Sequence, residues 1–181
     1  MRVPNTENQS FKTFIGFLSG NCGVSPAGGL SELSYKNDRK VINVAVKSLP
    51  QYGIGECWFN CLEQALNHGG GVIYGWALWE VGKDHYQAQH HAIWHNVGGD
   101  LLDVTPNAIN SDNVLFMPDG RAPFDPFELR HPFSLDWRPK GAYDWVAMYN
   151  KQVVRKRIFH IGRLVPTANE LIRIKSIQSR L

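Results

Sequence analysis

One stretch constrains this chain more than any other. It runs Gln51-Tyr52-Gly53-Ile54-Gly55-Glu56-Cys57-Trp58-Phe59-Asn60-Cys61 and on through Leu62-Glu63-Gln64-Ala65-Leu66-Asn67. Trp58, Cys61, Leu62, Ala65 and Leu66 fall at i, i+3, i+4, i+7 and i+8, one face of an α-helix. Gly53 and Gly55 lead into that helix, and His68 with Gly69-Gly70-Gly71 ends it, glycine being the usual residue past a helix end. Cys57 therefore sits in the first turn, at the edge of the apolar face. There the positive end of the helix dipole favours thiolate over thiol, the physical recipe for a cysteine nucleophile.

The residues around this helix read as an α+β chain. Ser10 is placed to cap a short helix striped by Phe11, Phe14, Ile15 and Leu18. Gly20 to Gly29 reads as loop, and Val41 to Val46 as a strand or packed segment before Pro50. After the glycines, Val72 to Trp79 is almost wholly apolar, as in a strand covered on both faces. Gln87 to His95 makes a second strand. Gly98-Gly99 turns the chain into a third, Leu101 to Thr105, ended by Pro106. These three predict an antiparallel β-meander packed against the helix carrying Cys57. Asn113 to Met117 adds a fourth strand before the Pro118-Asp119-Gly120 turn. Arg121 to Lys140 reads as irregular loop, and Ala142 to Phe159 as either a helix or a strand hairpin. Thr167 and Glu170 form a capping box opening a last helix through Leu171, Ile174 and Ile177.

A chain of 181 residues is expected to be one domain, 1–181, with its core in 51–118, an N-terminal helix and loop in 1–50 and a C-terminal elaboration in 119–181. The net charge of +3 gives no reason to expect a nucleic-acid partner. The basic residues Lys151, Arg155, Lys156, Arg157, Arg163, Arg173, Lys175 and Arg180 gather late, as a solvated face or one that meets an acidic partner. Cys22, Cys57 and Cys61 are an odd set, suited to free thiols in a reducing compartment. No signal-peptide layout opens the chain and no apolar run approaches the roughly 18 residues that span a bilayer, so a soluble, cytoplasmic protein without a membrane partner is expected. Export as an effector is the alternative.

A thiolate nucleophile needs a base, and the base needs an orienting group. His91 on the second strand and Asp103 on the third are joined by a short hairpin, so side chains on one face can meet across the ladder. His91 would hold Cys57 as a thiolate–imidazolium pair, and Asp103 would fix the ring tautomer. His90, its neighbour, points to the opposite face, and alternation alone would let the two exchange roles; His95 shares the face of His91.

Gln51 ahead of Gly55-Glu56-Cys57-Trp58-Phe59 resembles the active-site entry of papain-like cysteine proteases. That resemblance implies Gln51 as an oxyanion donor beside the Cys57 N–H; Trp58 and Asn60 are the other substrate-binding candidates, Asn60 one turn from Cys57 either bonding near the site or only decorating the helix. Ile54 stands where papain's first signature cysteine would be, and the histidine follows sooner. The spacing is more similar to the transglutaminase-like branch, matched by His91-Ala92-Ile93-Trp94 and Asp103-Val104-Thr105-Pro106; this resemblance selects His91 over His90, which it leaves as a surface or packing residue. Closer still is a group of bacterial proteins sharing Cys-x-x-Asn, Gly-Trp-Ala-Leu-Trp-Glu, His-Ala-Val-Trp and Asp-x-Thr-Pro. The resemblance covers Gln51 to Pro106.

It implies thiol-dependent acyl transfer on a protein or peptide amide through a thioester, with hydrolysis (peptidase, amidase or deamidase) as the default and no cofactor. Two other readings stand beside it. One is a non-catalytic binding module of the same fold. The other is a small zinc protein using Cys57, Cys61 and His68 with His85, His90 or His91. Oligomeric state is left open.

Overall fold

The structure, a computed structural model, describes residues 1–20, 40–120, 123–138, 147–149, 152–154 and 161–181. Cys22, most of the Gly20–Gly29 loop and Lys151, Arg155, Lys156 and Arg157 of the late basic run lie outside them. The chain is mixed α+β, with helices at Gln9–Gly20 (α1), Cys57–His68 (α2) and Ala168–Gln178 (α3). The longer strands are Ile42–Val46 (β1), Gly71–Gly82 (β2), His85–His95 (β3), Leu101–Asp103 (β4) and Asn113–Pro118 (β5). Short ones follow at Arg130–Pro132 (β6), Leu135–Trp137 (β7), Ala147–Tyr149 (β8), Gln152–Val154 (β9) and Ile161–Arg163 (β10). No helix among the described residues is long and apolar enough to cross a membrane.

The expected meander is present: β2 pairs antiparallel with β3 along its length, and β3 with β4. The sheet then goes further and closes. β4 lies parallel to β1, β1 antiparallel to β5, and β5 antiparallel to β2, so β2-β5-β1-β4-β3 returns to β2 as a small barrel. The central sheet thus starts at Ile42, ahead of Gln51, and β1 is one of its staves. Gly75 permits the β2–β5 approach, because a Cβ there would lie 2.2 Å from the Met117 carbonyl oxygen. Gly70 (φ 86°) lets the chain turn from α2 into β2, where a Cβ would meet the His95 carbonyl.

Strand alternation sorts β2 and β3 into two faces. Ile73, Ala77, Trp79 and Ile93 face the barrel interior with Val44, Val114 and Phe116. On the outer face, Tyr74, Ala92 and Trp94 take Cys61, Leu62 and the rest of the α2 stripe. Further along, Trp76, Leu78, Tyr86 and Ala88 take Phe11, Phe14 and Leu18 of α1. β2 is therefore covered on both sides, as its apolar run requires. The α1 cap is Asn8, whose Oδ1 accepts from the Ser10 N–H; Ser10 itself lies inside the first turn.

The second edge of β3 is divided. β7 pairs with it at Tyr86–Ala88 and β4 at Trp94–His95, leaving residues 89–93 without a strand partner on that edge among the described residues. The region expected to be irregular therefore contributes β6 and β7, and the ambiguous segment contains the β8–β9 hairpin. α3 carries the full capping box of Thr167 and Glu170. Ile174 and Ile177 are buried against α2, while Leu171 is exposed rather than part of that stripe.

Candidate active site

The gap in the edge of β3 is where His91 stands. Its Nε2 meets Asp103 Oδ2 on β4 at 2.8 Å. The other carboxylate oxygen of Asp103 accepts the Thr105 N–H at 3.0 Å. Asp103 is 2% exposed and the His91 side chain 15% exposed. A carboxylate so enclosed is held by its hydrogen bonds, and both of its oxygens are engaged.

Burial of the His91 ring pulls its pKa down. The charges of Cys57 and Asp103, with hydrogen bonds to both, outweigh that and hold it well above the ordinary 6.5. The imidazolium is thus favoured at neutral pH. Cys57, at the start of α2, is 4% exposed yet forms a wall of a cavity of about 290 Å³ that His91 and Asp103 also line. The cavity occupies the barrel mouth, between the inward-facing Ala77, Trp79 and Gln89 and the loop bearing Pro106 and Ile109.

Cys61 shows how different the next turn of α2 is. Its thiol donates to the Ala92 carbonyl oxygen at 3.3 Å, and burial, then the nearby Cys57 and Asp103, push its pKa well above the usual thiol value. It is a core thiol. Among the described residues, no three His, Cys, Asp or Glu side chains converge as a metal site.

The Cys57 end of α2 is pinned by a network. Asn60 Nδ2 donates to Thr105 Oγ1 at 3.1 Å and to the Gly53 carbonyl at 3.2 Å. Asn60 Oδ1 accepts from Arg173 Nη2 at 2.9 Å. Arg173, from α3, also bonds Glu63 and Glu56, and its guanidinium lies over the Tyr52 ring at 5.2 Å. Glu56 occupies the N-cap position but makes no side-chain capping bond, its carboxylate being turned to Arg173. The first-turn amides of α2 therefore keep no side-chain acceptor from their own cap.

Cys57, His91 and Asp103 come together as their spacing predicts. The three substrate-side candidates do not join them. Gln51 is exposed, outside the cavity walls, because Tyr52 takes the inward position and donates to Gln64 Oε1. Trp58 lies about a quarter turn from Cys57 on the helix and faces the core. There its Nε1 donates to His90 Nδ1 at 2.9 Å and its ring stacks on Phe124. Asn60 is a buried strut rather than a wall. His90 is a packing residue, and His95 lies at the far end of β3, beyond the cavity.

Gln89 and Trp79 are walls that sequence reasoning missed. Gln89 is two residues before His91, so period-two alternation on β3 could have found it. Arg173 carries no local signal. Compared with models of known protein families, with characterised proteins and with solved structures, the chain matches none.

Proposed function

We propose that the chain is a thiol-dependent acyl-transfer enzyme that hydrolyses an amide of a protein or peptide, with Cys57 as nucleophile, His91 as base and acid, and Asp103 as the orienting carboxylate. The observation carrying this reading is the His91 ring, bonded to Asp103 at 2.8 Å and held protonated between that carboxylate and Cys57 at the wall of one cavity. The order of elements, a helix-borne cysteine followed by histidine and aspartate on neighbouring strands, supports the papain-like and transglutaminase-like resemblance of Gln51 to Pro106.

In this mechanism the Cys57 thiolate attacks the amide carbonyl carbon, and the C=O pair moves onto oxygen. The Cys57 backbone N–H, at the positive end of α2, is the donor available to that oxyanion. Gln51 lies too far out to be assigned the second donor. As the intermediate collapses, the C–N bond breaks, His91 gives its proton to the leaving nitrogen, and an amine or ammonia departs. Water, deprotonated by His91, then attacks the thioester, releasing the acid and returning the thiolate–imidazolium pair.

The test is iodoacetamide labelling against pH, with mass spectrometry locating the modified cysteine. Selective labelling of Cys57 well below pH 8, lost in His91→Ala, is the expected result. Equal and slow labelling of all three cysteines would overturn the reading and leave a non-catalytic binding module in its place.

A further inference from the structure

β3 meets the first turn of α2 at two adjacent residues, and the proposed chemistry uses one of the two meetings. On the inner face His91 bonds Cys57 and Asp103. On the outer face His90 Nδ1 accepts from Trp58 Nε1 at 2.9 Å, both side chains being buried. Neighbouring strand residues point to opposite faces, and neighbouring helix residues lie about 100° apart. The first two residues of α2 are therefore held from two directions. Indole nitrogen is a donor only, so His90 Nδ1 carries no proton and that ring is not an imidazolium. The adjacent histidines thus stand in opposite states, His91 charged beside the thiol and His90 neutral beside the indole.

Both partners of the indole bond are themselves fixed. The Trp58 ring stacks on Phe124 with centroids 4.9 Å apart, and the His131 ring lies against it at 4.7 Å. His90 stacks on Tyr74 and meets Trp76 edge-on, and the Trp76 Nε1 donates to Asp119 Oδ2 at 3.1 Å. The loop ahead of α2 supplies no comparable hold, since Glu56 makes no capping bond and Gly55 has a φ of 83°. Asn60 and Cys61 tie α2 to Thr105 and Ala92 about one turn further on. The indole bond acts in the turn that carries the thiol. Turning α2 about its axis by about 30° would move a Cα by about 1.2 Å, and a misplacement of about 1 Å can cost about a hundredfold in rate. The same turn would pull Trp58 Nε1 off His90.

We infer that His90 and Trp58 are a positioning pair for Cys57, their hydrogen bond fixing the rotation of α2 that brings the thiol to His91. This rests on Cys57 being the nucleophile. The pair acts from the far face of β3 and from outside the cavity walls, so it sets the geometry of the thiol and not the choice of substrate.

The experiment measures iodoacetamide labelling of Cys57 against pH on the full chain, with urea midpoints taken alongside. Trp58→Phe keeps a ring against Phe124 and removes the N–H. His90→Leu keeps bulk without an acceptor, whereas His90→Asn sets Oδ1 the same number of bonds from the backbone as Nδ1. Trp58→Phe and His90→Leu are each expected to slow labelling at pH 7 by about tenfold or more. Their half-maximal pH is expected to rise toward the ordinary thiol value of about 8.5, a change that lost packing alone does not produce. His90→Asn is expected to stay within about threefold of the unmodified protein. The double variant Trp58→Phe/His90→Leu should lose no more than the slower single one, because both remove the same bond. Unchanged rates and pH profiles in the two single variants, additive losses in the double one, or His90→Asn as slow as His90→Leu would overturn the positioning pair. Cys57-selective labelling of the unmodified protein would still leave the thiol reading standing in those cases. Labelling of the unmodified protein that does not select Cys57 overturns both. If His90→Leu does not fold, Trp58→Phe decides.

Discussion

β3 carries two histidine–aspartate pairs, and among the described residues only one of them borders a thiol. At its N-terminal end His85 Nε2 meets Asp136 Oδ1 of β7 at 3.1 Å; toward the middle His91 meets Asp103 at 2.8 Å. Both histidines occupy odd positions of one strand, so they share a face. The difference lies in what each ring does with its other nitrogen and how its carboxylate is held. The other nitrogen of His85 faces the Arg138 guanidinium at 3.2 Å, and guanidinium has donors only, so that nitrogen accepts. The outer pair is a solvated strut, with Asp136 partly exposed and also bonded by Gln87. His91 instead turns to Cys57, beside a carboxylate that Thr105 locks in place. A His–Asp pair alone marks no site; its third neighbour does.

The sharpest way to break this contrast is to remove each ring in turn. His91→Ala is expected to slow alkylation of Cys57 at pH 7 by about a hundredfold or more, the range of a positioned acid–base group. His85→Ala is expected to leave that rate within twofold, and a matching fall would erase the distinction. Next comes the carboxylate. Asp103→Asn keeps the shape but removes the charge, and a loss of about tenfold or more is expected, with Asp136→Asn again close to unmodified protein.

A smaller effect separates the pairs by pH. His91 is raised above its ordinary value, so its stabilising contribution is fully present below the unfolded value, about 6.5, and is lost as pH rises through the folded one. The gap in urea midpoint between unmodified protein and His91→Gln should therefore shrink from pH 6 toward pH 9. A gap that widens would contradict the assignment. Last, Asn60→Ala removes the bonds to the Gly53 carbonyl and Thr105 Oγ1, and one of several that Arg173 makes, the arginine keeping Glu63 and Glu56. It is expected to cost about 2 kcal/mol in denaturant unfolding, with a loss of Cys57 reactivity smaller than that of His91→Ala.

The elements that position Cys57, His91 and Asp103 were legible because each carries its own periodicity: helical for α2, apolar for β2, glycine-punctuated for the β3–β4 turn. Barrel closure was not. The β-branched run at Ile42–Val46 looks the same whether the strand lies on an edge or joins β4 to β5, since register across a sheet is a property of partners distant in sequence. The misplacement of Gln51 has a local cause. The Tyr52 N–H bonds the Leu49 carbonyl and its ring turns inward, so the residue before it is carried outward. Trp58 failed through helical angle, adjacent residues on α2 facing about 100° apart. Trp79 was read as core, and it is core; what no pattern of hydrophobicity records is that its ring also walls the cavity.

The clasp that Arg173 makes on Asn60 has a consequence for how the protein is made. These residues are 113 positions apart, and at cellular synthesis rates of about 5–20 residues per second the arginine follows on the order of ten seconds later. During that interval the cysteine end of α2 has left the ribosome without the bond that pins it to α3. The proposed nucleophile is completed late in translation, so a nascent chain carries its thiol through the crowded cell before that thiol's surroundings are fully assembled.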